Sequence, residues 1–424
     1  MMASDELKSK TSVWYLSKYL SEPSASDPGS RGYCLMAELE RLGMSVTVLT
    51  SDSGHHFFGG QGKDRRRYRT TSVQDQMRVI RIRTLKYRKQ RSFRRLLSWL
   101  DFEFRLLAMP KSDLPRPDVI IASSLSLLTI VSGLLLRIRY RCRLVFEVRD
   151  IWPLTLVEEG GFSRWNPLIS LLAGIEWLGY RFSNAVVGTM PNLGEHVRSV
   201  VAVAPPVYCV PIGFDERSIK GPSQIDSVRS LANISKETFV VGYAGSMGVS
   251  NALETILRCA EDLADDHRLH FVLMGEGDLR SDFQSRFGRL PNVTFHEAVT
   301  RGEVSAVLRG CDLLYFATQA SSVWKFGQSL NKLVDYMLAG KPIVGSFTGH
   351  LTMINEAQCG TVVPADDVGS LRVELLRFAG LGVHQRAMLG DRARAWVLAN
   401  RGYRLLASEY RAILDGLREP VGRL

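Results

Sequence analysis

The chain has 424 residues, 45% hydrophobic and 23% charged, enough apolar material for two ordinary globular cores. Six scattered cysteines (Cys34, Cys142, Cys209, Cys259, Cys311, Cys359) with no C-x-x-C pair argue against a disulfide framework or a zinc ribbon and for a reducing compartment. The net charge of +11 is concentrated: Lys63–Arg95 carries fourteen Lys and Arg against Asp64 and Asp75, so the rest of the chain is close to neutral.

The polar, charged start, Met1–Lys10, does not read as a signal peptide. Ser12–Leu16 predicts a strand. A loop with Pro23, Pro28, Gly29 and Gly32 follows, then a helix over about Arg31–Leu42 stopped by Gly43, and a strand at Val46–Leu49. This β–loop–α–β opening is the start of a doubly wound domain, and the loop Asp27–Tyr33 feeds a helix N-terminus, where anionic groups bind. A ligand-free flexible turn is the alternative. After a strand at Val79–Ile82, the basic run leads into Ser92–Leu107, an amphipathic stretch with Trp99, Phe102 and Phe104. Basic residues followed by an aromatic and Leu-rich helix favour an anionic membrane surface over residues 63–107; a solvated loop beside a core helix is the alternative. No zinc-finger spacing, basic zipper or RNA-binding signature points to nucleic acid.

Val119–Leu136 is apolar enough to reach the lower limit for a membrane span, but its serines divide it into a strand, Val119–Ala122, and a capped helix from about Ser124. Arg143–Asp150 reads as a buried strand with a polar end, placing Glu147, Arg149 and Asp150 where ligands gather in open α/β sheets. A structural Arg149–Asp150 ion pair is the competing explanation. A helix over Asn166–Phe182, a strand at Ala185–Gly188, a helix from about Thr189 and a strand at Val207–Ile212 complete the first half.

A polar segment, Glu216–Glu237, precedes a second β–loop–α start. Here the strand Phe239–Ala244 runs into the Gly-rich turn Gly245-Ser246-Met247-Gly248 and a helix over Asn251–Leu263. Small residues there admit a diphosphate to the helix N-terminus. A strand at His270–Met274 ends in Gly275-Glu276-Gly277-Asp278, too incomplete a G-x-G pattern for a dinucleotide fingerprint. Further strands are expected at Val293–Phe295, at Ile343–Gly345 and at Thr361–Val363, Cys311–Phe316 leads to the stretch Trp324–Val344, and a last helix is expected over Tyr403–Leu417.

The most informative stretch is Trp324–Val344. A polar loop leads to a short helix whose apolar Leu330, Leu333, Val334, Met337 and Leu338 keep helical spacing, stopped by Gly340 and Pro342. Asn331, Lys332 and Asp335 fall in its first turns, so a helix N-terminus and Lys332 together suit an anion, and Asp335 suits a ribose diol. A capped helix with solvated charges remains the plainer alternative. There is no D-x-D triplet, Walker A, H-E-x-x-H or G-x-S-x-G pattern.

Ser329–Pro342 resembles the S-P-N-K-L-x-[DE]-Y-M-A-A-G-K-P block of family 4 glycosyltransferases, closest to the fucosamine-transferase-like branch of bacterial surface-polysaccharide clusters. Glu147-Val-Arg-Asp-Ile-Trp-Pro153 matches that branch's E-x-R-D-x-W-P block, and weaker matches lie at 27–33 and 213–215. Leu330 replaces the usual Pro, and Gly327 stands at the first acid of the wider family's E-x7-E pattern, with Asp335 at the second. The resemblance implies an α/β GT-B fold with two doubly wound Rossmann-like domains facing a central cleft. It sets an acceptor domain at 11–215, a nucleotide-sugar domain at 216–400 and a helix at 401–424 returning to the first domain. It implies a retaining, metal-independent hexosyltransferase with no cofactor, moving a sugar, expected to be an N-acetylated amino sugar, from a UDP-sugar to a lipid-linked acceptor at the inner face of the cytoplasmic membrane. Asp150, Arg149 and Lys332 take the catalytic roles, and Gly29, Ser30, Arg31 and Gly32 form the acceptor loop. Gly245, Ser246, Gly248, Glu276, Lys325, Ser329, Asn331, Lys332, Leu333 and Asp335 bind the donor. A sugar-nucleotide 2-epimerase on a similar fold and an inactive scaffold homologue are the alternatives.

Overall fold

The computed structural model describes residues 10–24, 27, 29–53, 69–87, 93–219, 228–232 and 234–417. Outside them lie Met1 to Ser9, Pro28, much of the basic run (63–68 and 88–92) and part of the polar segment before the second half (220–227 and 233). The chain forms two compact units. One comprises Met1–Glu22, Gly29–Pro211 and Tyr403–Leu424; the other comprises Pro23–Pro28 and Ile212–Gly402.

The first unit opens with β1 (Ser12–Ser17), α1 (Arg31–Arg41), β2 (Ser45–Ser51), β3 (Arg69–Gln74), β4 (Met77–Ile82), α2 (Phe93–Ala108) and β5 (Val119–Ser123). It continues through α3 (Thr129–Tyr140), β6 (Arg143–Val148), α4 (Leu154–Glu158), α5 (Pro167–Phe182), β7 (Ala185–Gly188), α6 (Leu193–Val200) and β8 (Val207–Cys209). Its sheet runs β3-β4-β2-β1-β5-β6-β7-β8, and the pairings are parallel except that of β3 with β4. Strands buried on both faces require apolar runs, and Val119–Ile121 and Leu144–Phe146 supply them.

The second unit contains α7 (Val228–Leu231), β9 (Phe239–Ala244), α8 (Glu254–Asp262), β10 (Leu269–Met274), α9 (Arg280–Phe287), β11 (Val293–His296), α10 (Val304–Leu308) and β12 (Leu313–Ala317). Then come α11 (Asn331–Ala339), β13 (Ile343–Ser346), α12 (Met353–Ala357), β14 (Gly360–Val363), α13 (Val368–Gly380) and α14 (Val383–Asn400). Its parallel sheet runs β11-β10-β9-β12-β13-β14 between two apolar cores. The last helix, α15 (Tyr403–Gly416), belongs to the first unit, where Tyr403, Leu406, Tyr410 and Leu414 enter one core with α1. These are two Rossmann-like α/β units, each on a parallel sheet, the first with one antiparallel edge strand.

The doubtful run resolves into the strand–helix pair β5 and α3, and no helix among the described residues is long and apolar enough to cross a membrane. The helix starts at Thr129, not near Ser124, because the Ser124 hydroxyl accepts the Arg149 amide at 2.8 Å instead of capping. The strand at Val207 ends at Cys209, short of Pro211, which has no amide to continue a ladder. The helix expected at Asn251–Leu263 is divided into a 3-10 turn, Val249–Asn251, and α8, separated by Ala252 in the left-handed region (φ 43°). The aromatic face expected on α2 is split: Trp99 and Phe102 are buried, whereas Phe104 is 73% exposed. Trp99 stacks edge-on to Trp152 at 5.6 Å and donates to the Tyr19 hydroxyl at 2.7 Å, contacts that hold it inside.

Candidate functional site

In the second unit, Tyr336 ties α11 to the end of β9. The Tyr336 hydroxyl accepts the Ala244 amide at 2.8 Å and donates to the Ala244 carbonyl at 3.0 Å. This fixes α11 against the turn Gly245–Gly248. The second Gly-rich turn stacks backbone to backbone beneath it: the Met247 amide donates to the Glu276 carbonyl at 2.9 Å, and Leu279 donates to the Met247 carbonyl at 3.0 Å. A Cβ on Gly275 would fall 1.8 Å from the Gly245 carbonyl oxygen, and one on Gly277 2.6 Å from Met247 backbone, so glycine is obligatory at both.

Lys332 lies one turn before Tyr336 and reaches the same turn; a Cβ on Gly245 would sit 3.5 Å from its Cε. Its ammonium donates to the Tyr243 hydroxyl at 3.2 Å and to the Asn251 side-chain carbonyl, and lies 4.9 Å from the Tyr243 ring centroid. Among the described residues no carboxylate pairs with it. Burial lowers its pKa to about 8. A poorly hydrated cation with only neutral partners, beside glycine backbone and a helix start whose Leu330 offers no side-chain cap, suits an anion.

At the same end of α11, the Asn331 side-chain carbonyl accepts from Arg301 at 3.1 Å. Asp335 is half-buried; burial raises its pKa to about 6, with Arg301 opposing. The other donor candidates are placed differently. Glu276 is exposed and ion-paired with Arg280, while its carbonyl serves the turn. Ser246 and Lys325 are exposed, and the Lys325 ammonium lies 4.8 Å from the Phe326 ring centroid. The Ser329 hydroxyl accepts the Ile212 amide at 2.8 Å. The Leu333 side chain is fully buried in the core, so it packs there and does not face the turn.

In the first unit, the loop before α1 serves the scaffold. Ser30 caps α1, and a Cβ on Gly32 would fall 2.5 Å from the Tyr15 hydroxyl oxygen. Gly29 precedes the cap at φ 89°. Arg31, placed by sequence in an acceptor loop, is instead buried. It binds Glu147 at 2.7 Å and the carbonyls of Val210 at 2.6 Å and Pro211 at 3.1 Å. Glu147 also accepts from Tyr15 at 2.9 Å. Burial pushes the Glu147 carboxyl up, but Arg31 and then Arg149 outweigh it and hold it below the usual range. This leaves Arg149 and Asp150 beyond the carboxyl end of β6. They form no ion pair with each other, Asp150 is exposed, and the Arg149 Nε is buried with no hydrogen-bond partner. Asp150 and Arg149 are therefore the groups at this strand end with chemistry to offer. A cavity of about 440 Å³ between α6 and β8, lined by Pro191, Asn192, Arg198, Pro205 and Tyr208, contains neither of them.

Tyr243, Asn251, Arg301 and Tyr336 were not apparent from sequence. Tyr243 lay within a predicted strand and Tyr336 within a predicted helix with no role assigned, Asn251 read as a helix start, and Arg301 carries no local signal.

Two family models match the chain: "Glycosyl transferase 4-like domain" over residues 32–213 and "Glycosyl transferases group 1" over residues 238–379. No curated protein matches. Among solved structures, the sucrose-phosphate synthase of Thermosynechococcus elongatus superposes with a TM-score of 0.72 at 16% identity, covering 96% of this chain and 99% of that one. Anabaena HepE in complex with UDP and glucose superposes at 0.64 and 16% identity, covering 96% and 100%. An E. coli trehalose-6-phosphate structure bound with UDP-2-fluoro glucose gives 0.70 at 12%, covering 97% and 100%. At these identities the superpositions establish the fold; with two family models accounting for most of the sequence, the chain is a glycosyltransferase of the GT-B fold.

Proposed function

We propose that the protein transfers a sugar, an N-acetylated amino sugar, from a UDP-sugar to a lipid-linked acceptor at the inner face of the cytoplasmic membrane, with retention of configuration, no cofactor and no metal. The observation that carries the donor half is the Lys332 ammonium, half-buried beside the Gly245–Gly248 turn with only neutral hydrogen-bond partners among the described residues. HepE bound to UDP on the same fold supports a uridine nucleotide. Lys332 and the α11 N-terminus stabilise the departing diphosphate, and Asp335 accepts from the ribose diol. The bond from the anomeric carbon to phosphate oxygen breaks, the acceptor oxygen bonds to that carbon, and its proton passes to the leaving phosphate. Asp150 and Arg149 orient the acceptor. The basic stretch 63–107 draws the protein to anionic lipid.

The test is incubation of the protein with a panel of UDP-sugars and a lipid-diphosphate acceptor in EDTA. The reading requires a glycolipid product with the donor's anomeric configuration. An isomerised sugar nucleotide with no acceptor present makes the protein an epimerase, and no saturable nucleotide binding makes it a scaffold. Asp150→Asn should suppress transfer while leaving nucleotide affinity within about threefold, a loss confined to the transition state.

A further inference from the structure

On one face of the first unit's sheet, α1 and α15 bury their apolar residues against each other and the strands. Helices α2, α3 and α5, by contrast, form a continuous layer with an apolar outer surface. Glu103 of α2 accepts from Thr129 and Ser132 of α3 at 2.7 and 2.5 Å, locking those sides inward. The α3–α5 seam is closed by Gly179, where a Cβ would fall 3.0 Å from Ile130, and by Arg137 donating to the Phe182 carbonyl.

The outward sides carry exposed apolar residues. On α2, Leu97, Leu100 and Phe104 are 38%, 52% and 73% exposed; on α3, Leu135 and Ile138 are 49% and 73% exposed. On α5, Leu171, Trp177 and Phe182 are 60%, 43% and 42% exposed. The loop entering α5 adds Phe162 at 40% and Trp165 at 91%. A soluble surface scatters such residues singly; a set of them on three helices packed side by side marks an interaction face. Its fringe is cationic. Arg94, Arg139, Arg141 and Arg181 are exposed, whereas the neighbouring acids Asp101 and Glu158 are paired with Arg105 and Arg164. Apolar centre, exposed tryptophan and arginine fringe match the chemistry of an anionic bilayer surface.

We propose that the outer face of α2, α3 and α5 docks onto a bilayer carrying anionic headgroups, with Trp165 and Phe162 seated at the headgroup–acyl boundary. This deepens the membrane part of the proposed function by naming the face and its anchor. It differs from attraction through the basic run alone, since burial of the loop and α5 supplies contact that salt does not screen.

Flotation of the full chain with vesicles of phosphatidylglycerol and phosphatidylcholine, without donor or acceptor, tests it independently of the reaction. The wild type should float and remain partly bound in 1 M salt. Brominated lipid should quench its tryptophan fluorescence, and Trp165→Phe should lose a clear share of that quenching, leaving the part due to Trp177. Phe162→Ser/Trp165→Ser should weaken vesicle binding at least tenfold with an unchanged melting temperature. The same variant should turn over a short-chain, water-soluble acceptor analogue at the wild-type rate. If no such acceptor reacts, the function is misassigned while flotation still judges the face. Failure of the wild type to float, undiminished binding of the double variant, or concentration-dependent dimerisation that the double variant abolishes would each overturn the proposal, the last in favour of a second copy as occupant.

Discussion

If Lys332 holds the diphosphate, its protonation must set the alkaline limit of donor binding. Burial leaves its pKa at about 8, so about nine-tenths of the free protein carries the ammonium at pH 7 and about one-tenth at pH 9. If only the charged form binds tightly, the Kd for UDP-N-acetylglucosamine rises about tenfold over that interval. A nucleotide sugar is the right probe because its diphosphate has no ionisation near neutrality. The acid limb belongs to Asp335, whose carboxyl titrates at about 6; below that pH it becomes a poorer acceptor for the diol. The affinity profile is therefore a bell between about 6 and 8. Isothermal titration calorimetry at half-unit intervals from pH 5 to 9, in one mixed buffer of constant ionic strength, gives the profile. Lys332→Met should weaken binding at pH 7 and remove the alkaline limb; Asp335→Asn should remove the acid limb alone. A wild-type profile flat to pH 9, or an alkaline limb that survives in Lys332→Met, would refute the assignment.

Arg31→Met leaves Glu147 charged in the core and should cost about 3–5 kcal/mol in urea unfolding, with part recovered by adding Glu147→Gln. Tyr336→Phe strips both the Ala244 amide and its carbonyl of a buried partner; a loss of about 1–3 kcal/mol is expected, and a change below about 0.5 kcal/mol would refute the clamp. Lys18, fully buried against the hydroxyls of Ser51, Ser53 and Ser98, has its pKa lowered to about 7 by burial. The unfolded chain keeps that proton to about 10.5, so between about pH 7 and 10 the unfolded state binds more protons and stability rises with pH, by at most about 1.4 kcal/mol per unit. Lys18→Met should flatten that rise in thermal melts; an identical slope would show that another group causes it.

The strands buried on both faces were legible because short apolar, β-branched-rich runs bounded by polar or Gly-containing loops alternate with longer helical patterns, and Phe239–Ala244 and Ala185–Gly188 coincide with β9 and β7. Strand β3 was not legible: Arg69–Gln74 is polar and largely exposed on a sheet edge, so it lacks the alternation that marks a half-buried strand. The helix N-terminus at Asn331 and its cation were visible in the spacing of 329–342. The neutral partners of Lys332 were not, since Tyr243 and Asn251 approach it only when β9 and α11 pack side by side. Arg31 misled for a related reason. Its position in a Gly-containing loop suggested a ligand contact, whereas the acid that claims it lies 116 residues away in β6. Amphipathicity on α2 was read correctly as a pattern, but periodicity does not say which of two apolar flanks meets the core.

The return of α15 to the first unit has a consequence for the order of synthesis. The segment from Ile212 to Gly402 is continuous, but the core that α1 shares with Tyr403, Leu406, Tyr410 and Leu414 lacks one wall until the final stretch has been made. On the ribosome the second unit can therefore close before the first, reversing the usual N-to-C succession. During that interval the face of α1 awaiting α15 is exposed and open to chaperones. A fragment ending near residue 215 would carry the same open wall permanently, its α1 face without the cover of Tyr403, Leu406, Tyr410 and Leu414.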